Sequence, residues 1–86
     1  MDQNDDPLLP TDVRAFPTKV AKALRYLANE AGVKHRCIDG SHVLLYPPDT
    51  NARPFKVSAH RSAEKSLKFI REFIDEWHLP TRGMKL

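Results

Sequence analysis

Asp39-Gly40 constrains this chain more than any other pair of residues, because Asp-Gly between two short β-type runs is a strong signal for a tight hairpin. The runs on either side, 33–38 and 41–46, carry Val33, Ile38, Val43 and Tyr46, the β-branched and aromatic content of strands. Pro47 and Pro48 stop the second run, and a polar loop follows from Asp49 to Arg53. Phe55, Val57 and Ala59 then alternate with Lys56, Ser58 and His60, which predicts a third strand. Pro54 has no amide hydrogen to donate and belongs at the start of that strand or on its edge.

One helix is predicted on each side of these strands. Pro17 suits a first helical turn, and Val20, Ala23, Leu24, Leu27, Ala28 and Ala31 recur at spacings of three and four, with Lys19, Lys22, Arg25 and Asn29 on the opposite side. Gly32 can take the left-handed conformation that ends a helix. Ser62 is the expected N-cap of the second helix, with Glu64 in its first turn. Ser66, Leu67, Phe69, Ile70, Phe73, Ile74 and Trp77 form its apolar stripe, and Pro80 marks its limit. The expected fold class is α+β, in the order helix, three antiparallel strands, helix, with both apolar stripes on one sheet face and the other face in water. Residues 17–80 form this single domain. Residues 1–16, with Asp2, Asp5, Asp6, Asp12, Pro7 and Pro10, read as a mobile acidic arm, and residues 81–86 as a frayed tail.

With 86 residues the chain has room for one modest core. Cys37 is its only cysteine, which removes an internal disulfide and multi-cysteine zinc sites and fits a reducing compartment. No apolar run approaches the roughly 20 residues of a membrane span, and the acidic start does not resemble a signal peptide, so the expected location is the cytoplasm, away from membranes. From Val13 onward all 14 Lys and Arg stand against 7 acidic residues, leaving +7 on the body. That charge favours a polyanionic partner, RNA or another nucleic acid, and the four aspartates of the arm are expected to compete with phosphate for it.

Which sheet face carries His42 depends on the hairpin. A two-residue turn at Asp39-Gly40 pairs Cys37 with His42, on a face shared with Val33, Leu44 and Tyr46 that looks like core. A three-residue loop with a bulge shifts the pairing by one. Strand alternation lets either Val43 and Leu45 or Leu44 and Tyr46 point inward, and only the first choice exposes His42.

Three segments, Ala31-Gly32-Val33, Asp39-Gly40-Ser41-His42 and Lys56-Val57-Ser58-Ala59-His60, followed by an amphipathic helix, make the chain resemble the HicA family of toxins over about residues 18–80. The resemblance implies a double-stranded-RNA-binding-like fold, metal-independent endonucleolytic cleavage of messenger RNA, and a partner antitoxin that neutralises the toxin. The family's catalytic histidine maps onto His42, and its second histidine onto His60. The acidic arm, the proline-rich loop from Pro47 to Pro54 and the helix start Arg61-Ser62-Ala63-Glu64 depart from the family pattern.

Apart from any family, RNA cleavage without a metal requires a base for the 2'-hydroxyl proton, an acid for the leaving oxygen and cations for the phosphate. Histidine, with an ordinary pKa of about 6.5, serves either proton role. His42 is therefore the candidate catalytic residue and His60 the candidate second site histidine, the latter otherwise a helix cap. Lys34, Arg36, Ser41, Arg53 and Lys56 are the candidate phosphate or RNA contacts. His35 and His78 have nothing near them in sequence to complete a site. The spacing of Cys37 and the histidines matches no common zinc pattern, so no metal or cofactor is expected. The competing functions are a nucleic-acid-binding module without catalysis and a small protein-binding inhibitor of a cellular target. Oligomeric state is left open by the residues.

Overall fold

The computed structural model describes residues 8–49 and 51–79. Two helices, α1 (Thr18–Asn29) and α2 (Ala63–Trp77), flank three strands, β1 (Lys34–Asp39), β2 (His42–Tyr46) and β3 (Phe55–Ser58). The strands form one antiparallel sheet in sequence order, the α+β architecture expected from the periodicities. Gly32, at φ 77, turns the chain out of α1, and the Val33 amide donates to Leu27 O at 2.9 Å across that turn. Ser62 caps α2, its Oγ accepting from the Lys65 amide at 3.3 Å. His78 closes α2 in the left-handed conformation at φ 52, and the Leu79 amide reaches back to Ile74 O at 3.0 Å.

The hairpin follows the bulged alternative. Cys37 pairs with Val43, the register shifts, and Asp39 pairs with His42. Val43 and Leu45 are fully buried, as are Leu24 and Leu27 of α1 and Ile70 of α2. Val57 of β3 joins them, and Phe55 stacks on Phe73 of α2 with ring centroids 5.3 Å apart. The pairing His35 with Leu45 and Val43 with Val57 places the buried residues on one face. The alternate positions, Lys34, Arg36, His42, Leu44, Tyr46 and Lys56, fall on the other.

The segment expected to be a mobile arm is corrected in part. Leu8, Val13 and Phe16 are buried in the core, and a 3-10 turn at Pro10–Val13 carries the chain between them. The turn is held by Asp12, whose carboxylate accepts from the Leu9 amide at 2.9 Å. Asn29, expected on the solvent side of α1, clamps the segment: its Oδ1 accepts from the Leu8 amide at 2.8 Å and its Nδ2 donates to Leu8 O at 3.1 Å. Among the described residues the folded unit therefore includes the chain from Leu8 onward. Residues 1–7 of the arm, Pro80 and the tail 81–86 lie outside the described residues. Trp77, expected in the apolar stripe of α2, is only partly buried at the rim of the core, and Phe69 lies half-buried beneath Arg61, whose guanidinium carbon is 5.0 Å from the ring centre.

The packing fixes two stability outcomes. Leu8→Ala should cost about 2–5 kcal/mol by chemical denaturation, as truncation of a buried leucine does, whereas loss of a loose arm would cost nothing. The buried Ser66 hydroxyl meets no hydrogen-bond partner among the described residues, so Ser66→Ala should raise stability by about 1 kcal/mol. A third outcome concerns pH. Burial lowers the pKa of His35 from its ordinary 6.5, against smaller opposing effects of the Asp12 charge and the Val33 backbone. The unfolded chain then binds the proton first, so the stability contributed by neutral His35 is complete above 6.5 and falls away as the pH drops below it. His35→Leu should flatten the pH dependence of the urea midpoint in that window.

Candidate functional site

The bulge sets up the site. By stepping the register between Cys37 and Asp39, it brings the Asp39 carboxylate round to the residues that open β2. Asp39 Oδ1 accepts from the Ser41 amide at 2.8 Å and from the Ser41 hydroxyl at 2.9 Å, and stands 3.1 Å from His42 Nδ1. These bonds hold its carboxyl at about 2, with the Ser41 amide the largest cause, so Asp39 stays ionised down to strongly acidic pH. Ser41 Oγ also lies 3.1 Å from His42 Nδ1. With its own hydrogen on Asp39, that oxygen can only accept, as the carboxylate does. Both contacts therefore assign the neutral imidazole's proton to Nδ1, which leaves Nε2 with a free lone pair.

His60 completes the cluster from the end of β3. The Ala59 amide donates to Ser41 O at 2.8 Å, extending the β2–β3 pairing past Ser58, and the His60 amide donates to Ser58 Oγ at 3.1 Å. The imidazoles of His42 and His60 meet edge to face with ring centroids 5.8 Å apart. His60 is exposed, and the His42 side chain is 27% accessible. Two imidazoles this close, one anchored by a carboxylate, can take up and deliver protons at one small anionic group.

The basic residues are ordered by the ladder. Arg36, Leu44 and Lys56 form the cross-strand row next to the row of Asp39, His42 and Ser58. Lys34 and Tyr46 form the row after that. Arg36 and Lys56 are thus the cations beside His42, while Lys34 lies two rows away on the same face. Arg53 is exposed in the β2–β3 loop, beyond the Leu45–Phe55 pair at the opposite end of β2, and is not brought to His42. Ser41 serves the turn and the histidine; its hydroxyl is already engaged with Asp39. Asp39 is the residue sequence reading missed, because Asp before Gly is explained by turn formation alone. The signal present was its position three residues before a histidine at a strand opening.

Comparison of the chain with protein-family models, with curated proteins and with solved structures yields no match. Among the described residues no helix is long and apolar enough to cross a membrane.

The anchoring geometry is open to direct observation. In wild type, long-range proton–nitrogen correlation spectra at high pH should show His42 as the Nδ1–H tautomer. Asp39→Asn should move it toward the Nε2–H form usual in water, because the negative acceptor for Nδ1–H is gone. An unchanged tautomer would mean that Asp39 shapes the turn and nothing else.

Proposed function

We propose that this chain is a HicA-like, metal-independent endoribonuclease, in which His42 and His60 carry the proton transfers of RNA cleavage beside a basic sheet face. The observation that carries the reading is the pairing of the Asp39-anchored His42 imidazole with His60 at 5.8 Å, next to Arg36 and Lys56. The resemblance of residues 18–80 to the HicA toxins points the same way, with the catalytic and second histidines falling on these two positions.

The chemistry follows from the tautomer. His42 Nε2 takes the proton of a ribose 2'-hydroxyl, and the freed oxygen attacks the adjacent phosphorus. The bond from phosphorus to the 5'-oxygen breaks, and that oxygen takes a proton from His60 in its protonated form. The products are a 2',3'-cyclic phosphate and a 5'-hydroxyl. Arg36 and Lys56 offset the charge that builds on the phosphate oxygens during attack. Asp39 touches no substrate atom; it is a positioning residue that keeps the Nε2 lone pair aimed outward and favours the imidazolium formed during the reaction. Such a protein, active on messenger RNA in the cytoplasm, would arrest growth unless an antitoxin covered the site.

The test is cleavage of single-stranded RNA in chelator. Wild type should yield cyclic-phosphate ends with a bell-shaped pH dependence, since one imidazole must be neutral and the other protonated. His42→Ala should fold normally and lose about a hundredfold to ten-thousandfold in rate. Asp39→Asn should lose on the order of a hundredfold, as a misaimed catalytic group does. RNA binding without cleavage by wild type would replace this reading with a binding module. Growth arrest without RNA cleavage or binding would point to a protein target.

A further inference from the structure

We propose that the pocket at the far end of the open face is a nucleobase subsite, into which a base of single-stranded RNA is turned out while its backbone runs along the sheet from His42. The proposal rests on the reading of that face as an RNA surface and names the form of RNA it takes.

The pocket has a volume of about 460 Å³ and lies where the start of β1, the end of β2, the β2–β3 loop and the end of α2 converge. That is within the usual range of small-ligand sites, roughly 300–1,000 Å³. Tyr46, Pro47, Pro48 and Leu79 supply flat and apolar walls, and Lys34 and Asp49 supply the charged groups. The Asp49 carboxylate is fixed by the Asn51 amide, which donates to Oδ1 at 2.9 Å, so it meets an entering ligand already oriented.

Two of these residues connect the pocket to the proposed catalytic cluster. Tyr46 and Lys34 are direct cross-strand partners on the open face, and both line the pocket, so one of its walls is the end of that face. His42 and Tyr46 are four residues apart on β2, about 13 Å at roughly 3.3 Å per residue. Between them lies the row of Arg36, Leu44 and Lys56. A nucleic-acid strand on this path meets imidazoles first, then two cations, then a cation beside an aromatic ring. Alternation of phosphate-binding cations with a stacking platform is how proteins hold single strands. A base paired in a duplex is stacked on both sides and cannot offer its face to Tyr46, so the pocket selects unpaired RNA.

The experiment measures binding apart from cleavage. The probe is a short fluorescent single-stranded 2'-O-methyl RNA, which has no free 2'-hydroxyl to attack, read by anisotropy with the full chain in chelator at low salt. Loss of one stacked base is worth about 1–3 kcal/mol, so Tyr46→Ala should weaken binding roughly fivefold to a hundredfold. Tyr46→Phe, which keeps the ring, should stay within about twofold of wild type, and Lys34→Ala should lower the salt slope by about 0.7. The same probe annealed to its complement should bind more weakly. If Tyr46→Ala loses its thermal transition, Ala52→Leu, which narrows the pocket from its loop wall, should give the same loss of affinity. Wild-type affinity in Tyr46→Ala, equal losses in Tyr46→Ala and Tyr46→Phe, or equal affinity for duplex and single strand would each overturn the subsite. Tyr46-dependent binding by a protein that never cleaves RNA would uphold the subsite and remove the catalytic reading. Cleavage indifferent to Tyr46→Ala would do the reverse.

Discussion

The pairing of Cys37 with Val43, one residue out of step with the pairing of Asp39 with His42, is the constraint on which the rest of the structure depends. Side chains alternate along a strand, so a slip of one residue moves a whole strand's apolar set to the other face. In the register adopted, Val43 and Leu45 close the core against α1 and α2, and His42, Leu44 and Tyr46 face outward. Burial of those two side chains is worth several kcal/mol at the usual 1.5–3 kcal/mol each. No surface interaction near His42 could offset that. The position of the histidine is therefore a consequence of hydrophobic burial two residues on, and its tautomer is a consequence of the bulge that makes the register possible.

This division explains what was legible in the sequence. Both helices and all three strands follow from local periodicity and punctuation: Gly32 ends one helix, Ser62 begins the other, and Asp39-Gly40 and the prolines bound the strands. Register was legible only as a choice, because Asp-Gly is compatible with both a tight turn and a bulged one, and the two differ by how a chain-distant core settles. The docking of Leu8, Val13 and Phe16 was not legible at all. They recur at intervals of five and three among aspartates and prolines, with no helical or strand period, and the hydrogen bonds that seat Leu8 come from Asn29, 21 residues away. For the site, His42, His60, Arg36 and Lys56 could be nominated by residue type, but the separation of Arg53 from His42 is a property of the β2–β3 register.

The sheet also separates stability from chemistry. Its inner face carries His35, whose burial opposes its charge, and is closed by the segment from Leu8 to Phe16. Asp12 on that segment is the acidic group whose charge acts on both His35 and Cys37 of the edge strand β1. The outer face is left with basic side chains, two imidazoles and a tyrosine, none of which the core requires.

One carboxylate, Asp39, stands among those cations, and its charge repels a phosphate. Its Oδ1 takes the Ser41 amide and hydroxyl and faces His42 Nδ1, contacts that fix the carboxylate without removing its charge. Those donors favour the ionised carboxylate so strongly that its pKa falls to about 2. Its single negative charge offsets part of the attraction of Arg36 and Lys56 for an anionic backbone, at a range inside the roughly 8–10 Å over which salt leaves charges interacting. These two cations still outweigh the one carboxylate, so Asp39 can hold the His42 ring while the face stays attractive to an anion.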